Sequence, residues 1–177
     1  DGTITSTVSA NVDAGFSIVS YTGTGANATV GHGLSVAPEL VIAKQRNSGQ
    51  SWPVYHVDNG SGNVVYLDLT NASASSTAWQ STTPTSTLVS VGTSSATNGN
   101  GNTYIAYAFH SVDGYSKVGS YTGNGNANGT FVHCGFKPAF VMLKRSDSSS
   151  SGHWVIKDSK RDESNGNTIY SMANLSN

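Results

Sequence analysis

The side chains of this chain that could do chemistry come in pairs about 100 positions apart: His32 with His133, Lys44 with Lys144, Trp52 with Trp154, Asp58 with Asp158. A histidine beside a serine could activate a nucleophile, and two carboxylates flanking one bond could hydrolyse a glycoside. Neither arrangement is complete. No Gly-x-Ser-x-Gly elbow presents a serine to a base. Asp58 and Asp158 each follow a tryptophan segment in the same place, as repeated turn caps would. His32 and His133 each stand just ahead of a glycine that leads to Pro38 or Pro138, where a histidine bonded to a turn is expected.

Cys134, the single cysteine, excludes an intrachain disulfide and suits a small buried thiol next to a turn. There is no Cys-x-x-Cys, no His-x-His and no EF-hand loop to hold a metal. The glycine-rich stretches 98–101 and 123–129 are turn-formers, and no Lys-Ser/Thr follows them to make a phosphate loop. No catalytic residue, metal or cofactor is expected, and the protein is not read as an enzyme.

The remaining pairs suit binding. Trp52 and Trp154, with Tyr55, could stack on sugar rings, while Lys44 and Lys144 pack their stems along an aromatic face and keep their ammonium groups wet. The same tryptophans sit in apolar strands, where they would serve the core instead. Both readings of these five residues stand on sequence alone.

The elements that must position them repeat as well. Gly15-Phe16-Ser17-Ile18-Val19-Ser20-Tyr21-Thr22-Gly23 returns as Gly114-Tyr115-Ser116-Lys117-Val118-Gly119-Ser120-Tyr121-Thr122-Gly123, and Pro38 to Lys44 returns as Pro138 to Lys144. Short alternating or apolar runs between Gly and Asn turns predict an all-β chain of antiparallel β-sandwich repeats in tandem. Strands are expected near 3–10, 16–22, 27–31, 39–45, 52–57, 63–69, 86–91 and 103–111, then near 115–122, 130–134, 139–145, 153–157 and 167–172. No stretch holds a helical apolar period over ten residues, so long helices are not expected. The runs at 40–43 and 140–143 are continuously apolar, as in strands covered on both faces. Residues 71–83 are a long loop or irregular strand pinned by Trp79.

Residues 1–14 match the approach to the second copy, Thr3 to Asp13 resembling Thr103 to Asp113. The expected organisation is therefore a terminal strand of a preceding unit at 1–14, a first repeat at 15–112 and a second, truncated repeat at 113–177. The absence of an initiator methionine fits a fragment or processed product. The second copy stops before a strand matching Tyr104 to Phe109, and residues 1–14 of a neighbouring copy could complete it by strand addition.

Composition narrows the class. Of 177 residues 36% are hydrophobic and only 11% charged, yet β-branched and aromatic residues are frequent enough for a folded core. A net charge of −1 gives no footprint for nucleic acid. The cluster Lys157, Lys160 and Arg161 lies among Asp158, Asp162 and Glu163, as in a solvated turn. No apolar run is long enough to span a membrane.

The paired phrases from Gly15 to Gly23, Gly31 to Lys44, Gly114 to Gly125 and Lys137 to Val141 resemble a family of uncharacterised tandem-repeat domains. That family occurs in structural proteins of tailed phages, especially marine and cyanobacterial ones, often beside laminin-G-like domains. The resemblance implies a virion component of a tail fibre, spike or other appendage, located on the particle or outside the cell. It would serve as a rigid β spacer and as a host-surface adhesin. Its partners would be other virion proteins, copies of itself in a homo-oligomer, and host polysaccharide. A carbohydrate-binding module and a self-assembling filament or capsid-decoration subunit are the alternatives.

Overall fold

A computed structural model describes residues 2–148, 150, 152–161 and 170–175 of the protein. In chain order the elements are β1 (Ser6–Asn11), β2 (Phe16–Thr22), β3 (Ala28–Gly31), β4 (Leu40–Gln45), β5 (Pro53–His56), β6 (Asn63–Tyr66), β7 (Ala74–Ser75), β8 (Leu88–Val91), α1 (Ser95–Asn98), β9 (Thr103–Phe109), β10 (Phe140–Lys144), β11 (Trp154–Asp158) and β12 (Ser171–Met172). A single 3-10 turn, Val57–Asn59, follows β5. The protein is all-β, and its antiparallel sheets form a sandwich-like arrangement.

The central sheet has seven strands in the order β1-β2-β9-β4-β5-β6-β7. Period-two alternation sends Ser17, Val19 and Tyr21 of β2 and Tyr104, Ala106 and Ala108 of β9 to one face. The two-stranded β3–β8 ribbon covers that face, closing a core with Val30, Val89, Val91, Val41 and Trp79. Each aliphatic side chain so buried contributes about 1.5–3 kcal/mol relative to exposure. The ribbon is fastened by Gln80, whose Nε2 donates to the carbonyls of Ala28 and Val91 at 2.8 and 2.7 Å. Trp79 pins residues 71–83 as expected, with β7 a two-residue strand within that stretch. Gly92 follows the ribbon where the backbones nearly touch: a Cβ there would lie 1.7 Å from the Thr77 carbonyl oxygen.

The opposite face meets the three-stranded sheet β10-β11-β12. Ile42, Val54, Val65 and Trp154 form the buried centre of this second core, with Leu40, Trp52, Tyr107, Phe109 and Met142 packed around it. β4 is thus covered on both faces, Val41 and Ala43 toward the ribbon and Ile42 toward the small sheet, which accounts for its unbroken apolar run. β9 is central, paired antiparallel with both β2 and β4.

Four expectations need correction. The strands expected at 115–122 and 130–134 do not form; both segments are irregular and exposed, apart from a lone bridge between Val112 and Ser116. In the first half, β2 pairs with β1 through a short turn and with β9. The strand leading into 115–122 is β9 itself, and its two edges are already taken by β2 and β4. Residues 115–122 therefore have no free strand to fold back on. Second, β10 is not covered on both faces: Phe140, Val141 and Leu143 are exposed. Third, the expected strand at 3–10 is interrupted at Thr5: Ile4 bridges Val30 in parallel while Ser6–Asn11 pairs with β2. Fourth, Cys134 is half-exposed in an irregular stretch, its Sγ 3.8 Å from the Val132 carbonyl oxygen, because no strand forms around it to bury it. Of the strand expected at 167–172, residues 167–169 lie outside the described residues, and Ser171–Met172 forms β12.

Candidate functional site

The five candidate ligand contacts are dispersed between core and surface. Tyr55, 1% exposed, points into the ribbon-side core and meets Trp79 edge-on with ring centroids 6.2 Å apart. Trp154, 5% exposed, fills the second core, and its Nε1 donates to the Tyr66 carbonyl at 2.7 Å. Both rings are covered by protein on their faces, so stacking on a sugar is closed to them. Trp52 is half-buried at the rim of that core, with the Lys44 ammonium 5.6 Å from the centre of its ring. Lys44 also donates to the Gln50 carbonyl. Lys144, the cross-strand partner of Trp154, donates to the carbonyls of Thr70 and Arg145 at 3.2 and 2.6 Å. Burial holds its ammonium below the usual lysine range. Of the five, Trp154, Trp52 and Lys144 thus fasten the small sheet to the large one, while Tyr55 belongs to the ribbon-side core.

The buried polar groups are structural too. His32 accepts the Leu34 N–H at Nδ1, 3.2 Å, which leaves Nε2 to donate to the Thr85 carbonyl at 3.1 Å. This neutral tautomer bonded to turns is the role expected for it. Burial lowers its pKa, the Thr85 bond opposes that, and His110 nearby adds to the lowering. Asn98 closes the loop after α1: Nδ2 donates to the carbonyls of Ala26 and Gly92 at 2.6 and 2.8 Å, and Oδ1 accepts the Thr24 N–H at 2.8 Å. Asp158 caps a turn, accepting the N–H groups of Lys160 and Arg161 at 3.0 and 2.9 Å. Its ion pair with Arg161, and that of Arg145 with Asp147, lie at the surface. Among the described residues no three His, Cys, Asp or Glu side chains gather where a metal could bind. A gap of about 10 Å³ beside His32 and Trp79 has room for about one water, and its walls are apolar. A shallow open hollow lined by Asn63, Ser75, Ser76, Thr77 and Ser81 carries hydroxyls and no aromatic ring.

The surface feature that stands out lies in the second half. Tyr115, Tyr121, Phe131, Val132, Phe140, Val141 and Leu143 are all exposed, Phe131 to 86%. Their sequence counterparts in the first half include Tyr21, Val30, Val41 and Ala43, all buried. Met142 points inward to the second core, so alternation along β10 turns Val141 and Leu143 outward. Cross-strand partners of β10 and β11 put Val155 and Lys157 on the same outer face, and Met172 of β12 follows Val155. Large exposed apolar side chains concentrated between residues 115 and 143 make this segment the candidate interaction surface. Sequence reasoning placed the binding residues on the tryptophans and missed these. The signal was available: the segment 103–109 could serve only one of the two units that flank it.

No curated protein and no solved structure is significantly similar to the chain. A family model described as a domain of unknown function (DUF7483) matches residues 1–177, and the chain belongs to that family.

Proposed function

We propose that the protein is a structural β module of a phage particle appendage, a tail fibre or spike, that works by assembling with other copies and other particle proteins. The observation that carries this is the exposed apolar surface of residues 115–143, whose counterparts in the first half of the chain are core. In this reading residues 15–112 form a first sandwich repeat, and the exposed apolar side chains of the second are covered in the assembly. The virion setting follows from the resemblance of the paired Gly-Phe/Tyr-Ser and Pro-to-Lys phrases to phage structural repeats. Host-surface contact is a further role for the Gly- and Asn-rich loops. The covered faces of Tyr55 and Trp154 weigh against a sugar platform on the residues first singled out.

An antibody raised against the purified chain tests this reading. Negative-stain images of particles from the producing culture are expected to show label on an appendage. Reactivity confined to soluble fractions, with saturable binding to envelope polysaccharide, would replace the structural reading with a carbohydrate-binding one.

A further inference from the structure

β10 is an edge strand: it pairs with β11 on one side and, among the described residues, with no strand on the other. Its sequence counterpart, β4, has β9 on that side, in antiparallel register with Leu40 opposite Phe109, Val41 opposite Ala108 and Ile42 opposite Tyr107. The first half of the molecule therefore states what kind of strand belongs beside β10. It is an uncharged extended segment with the pattern of Thr103–Phe109.

The same chain carries a second segment of that pattern. Anchoring Val12-Asp13 on Val112-Asp113 lays Thr3 on Thr103, Val8 on Ala108 and Ser9 on Phe109. Ser6–Asn11 is β1, the outer strand of the seven-stranded sheet, with one edge toward β2; on the other side the Ser6 hydroxyl donates to the Gly31 carbonyl at 3.1 Å and Gly33 packs against Val8, and among the described residues no strand pairs with Thr7–Asn11 there. Thr7, Val8, Ser9, Ala10 and Asn11 are all exposed, and Val8 lies opposite Val19, on the ribbon-side face. Neither β1 nor β10 up to Leu143 carries a charge, a proline or a bulge that would guard its edge against another strand.

From this we propose that β1 of one copy adds antiparallel to the free edge of β10 of the next, with Ser9 opposite Phe140, Val8 opposite Val141 and Thr7 opposite Met142. The joined sheet would run β2-β1-β10-β11, the order that β2-β9-β4-β5 shows within one molecule. Val8 and Val141 would meet on one face, as Ala108 and Val41 do. Donor and acceptor edges are different surfaces, so the contact is head-to-tail and extends into a filament unless its rotation closes a ring. The proposal rests on the structural reading above and deepens it by naming the partner and the register.

Cysteine pairs read the register directly. In a Cys134→Ser background, Val8→Cys with Val141→Cys should oxidise to a ladder of linked chains beyond the dimer, since each chain carries one donor and one acceptor. Thr7→Cys with Val141→Cys places the thiols on opposite faces, and about tenfold less product is expected. Each single-cysteine chain should stop at the dimer. Val8→Lys, at a position already 37% exposed, should shift the sedimentation profile of the otherwise unaltered chain to monomer while its circular dichroism stays native. A ladder equally strong for both pairs, or no ladder with a concentration-independent monomer, overturns the proposal. Capture of a free Thr103–Phe109 peptide by chains that form no ladder also overturns it, and assigns the edge to a different segment. The crosslink reads this edge alone and the antibody label reads the particle, so each can fail without the other.

Discussion

At the scale of single residues the interior is held by neutral polar groups. His32 has both ring nitrogens engaged, one accepting from Leu34 and one donating to Thr85, and only the uncharged ring can do both. Protonation in the folded state must break the Leu34 bond and place a charge in a buried site near His110. Because its folded pKa is lowered, the stabilising contribution is present above the ordinary histidine value of about 6.5 and is lost as pH falls from there through the lowered value. Melting temperature is expected to hold steady from about pH 8 to 7 and to drop below about pH 6. His32→Gln should start lower and flatten that drop; an unchanged pH profile in the variant would assign the effect to another group. The role of His32 was legible from its place before a glycine turn. Asn98 was not: its sequence, Asn-Gly-Asn-Gly, announces a turn, while of the three bonds that make it a buried hub two reach residues 72 and 74 positions away and one a residue six away.

At the scale of elements, the small sheet is attached chiefly through one indole. Trp154 buries its ring among Ile42, Val54 and Val65 and donates to Tyr66, linking β11 to β6. Trp154→Ala should cost about 3–5 kcal/mol of that attachment through the cavity it leaves. Limited proteolysis with mass spectrometry should then release fragments of 113–177 while residues 2–112 persist, because the ribbon-side core draws on no residue beyond Ala108. Trp154→Phe keeps most of the packing and loses the hydrogen bond, about 1 kcal/mol, and should leave the small sheet protected. Cleavage that spreads equally through both halves would mean that the two cores melt as one. Strands were legible where alternation or an apolar run coincided with an available neighbour, as in β2, β4, β9 and β11. They were misplaced at 115–122 and 130–134, where the same local pattern lacks a partner. Strand propensity is satisfied only by pairing, and local sequence does not report whether the pairing edge is already occupied.

At the scale of the whole molecule, two cores sit on opposite faces of one antiparallel sheet, and among the described residues β1 and β10 each have one side with no paired strand. The sandwich class could be read from turn spacing and composition. The sharing of a single central sheet by both cores could not, because the repeat suggested a separate sandwich for each copy. Low charge had served only to exclude partners, but it also bears on the medium. The ion pairs Arg145–Asp147 and Arg161–Asp158 are at the surface, while the buried bonds of His32, Gln80 and Asn98 join neutral groups. Raising sodium chloride from 0.1 to 1 M shrinks the screening length from about 10 to about 3 Å, which erodes exposed pairs worth about 0–1 kcal/mol each and leaves neutral bonds intact. Melting temperature should therefore move by no more than about 2 °C across that range, and a larger fall would reveal a charge interaction essential to the fold. A polypeptide stabilised in this way keeps one shape in fresh water and in brine.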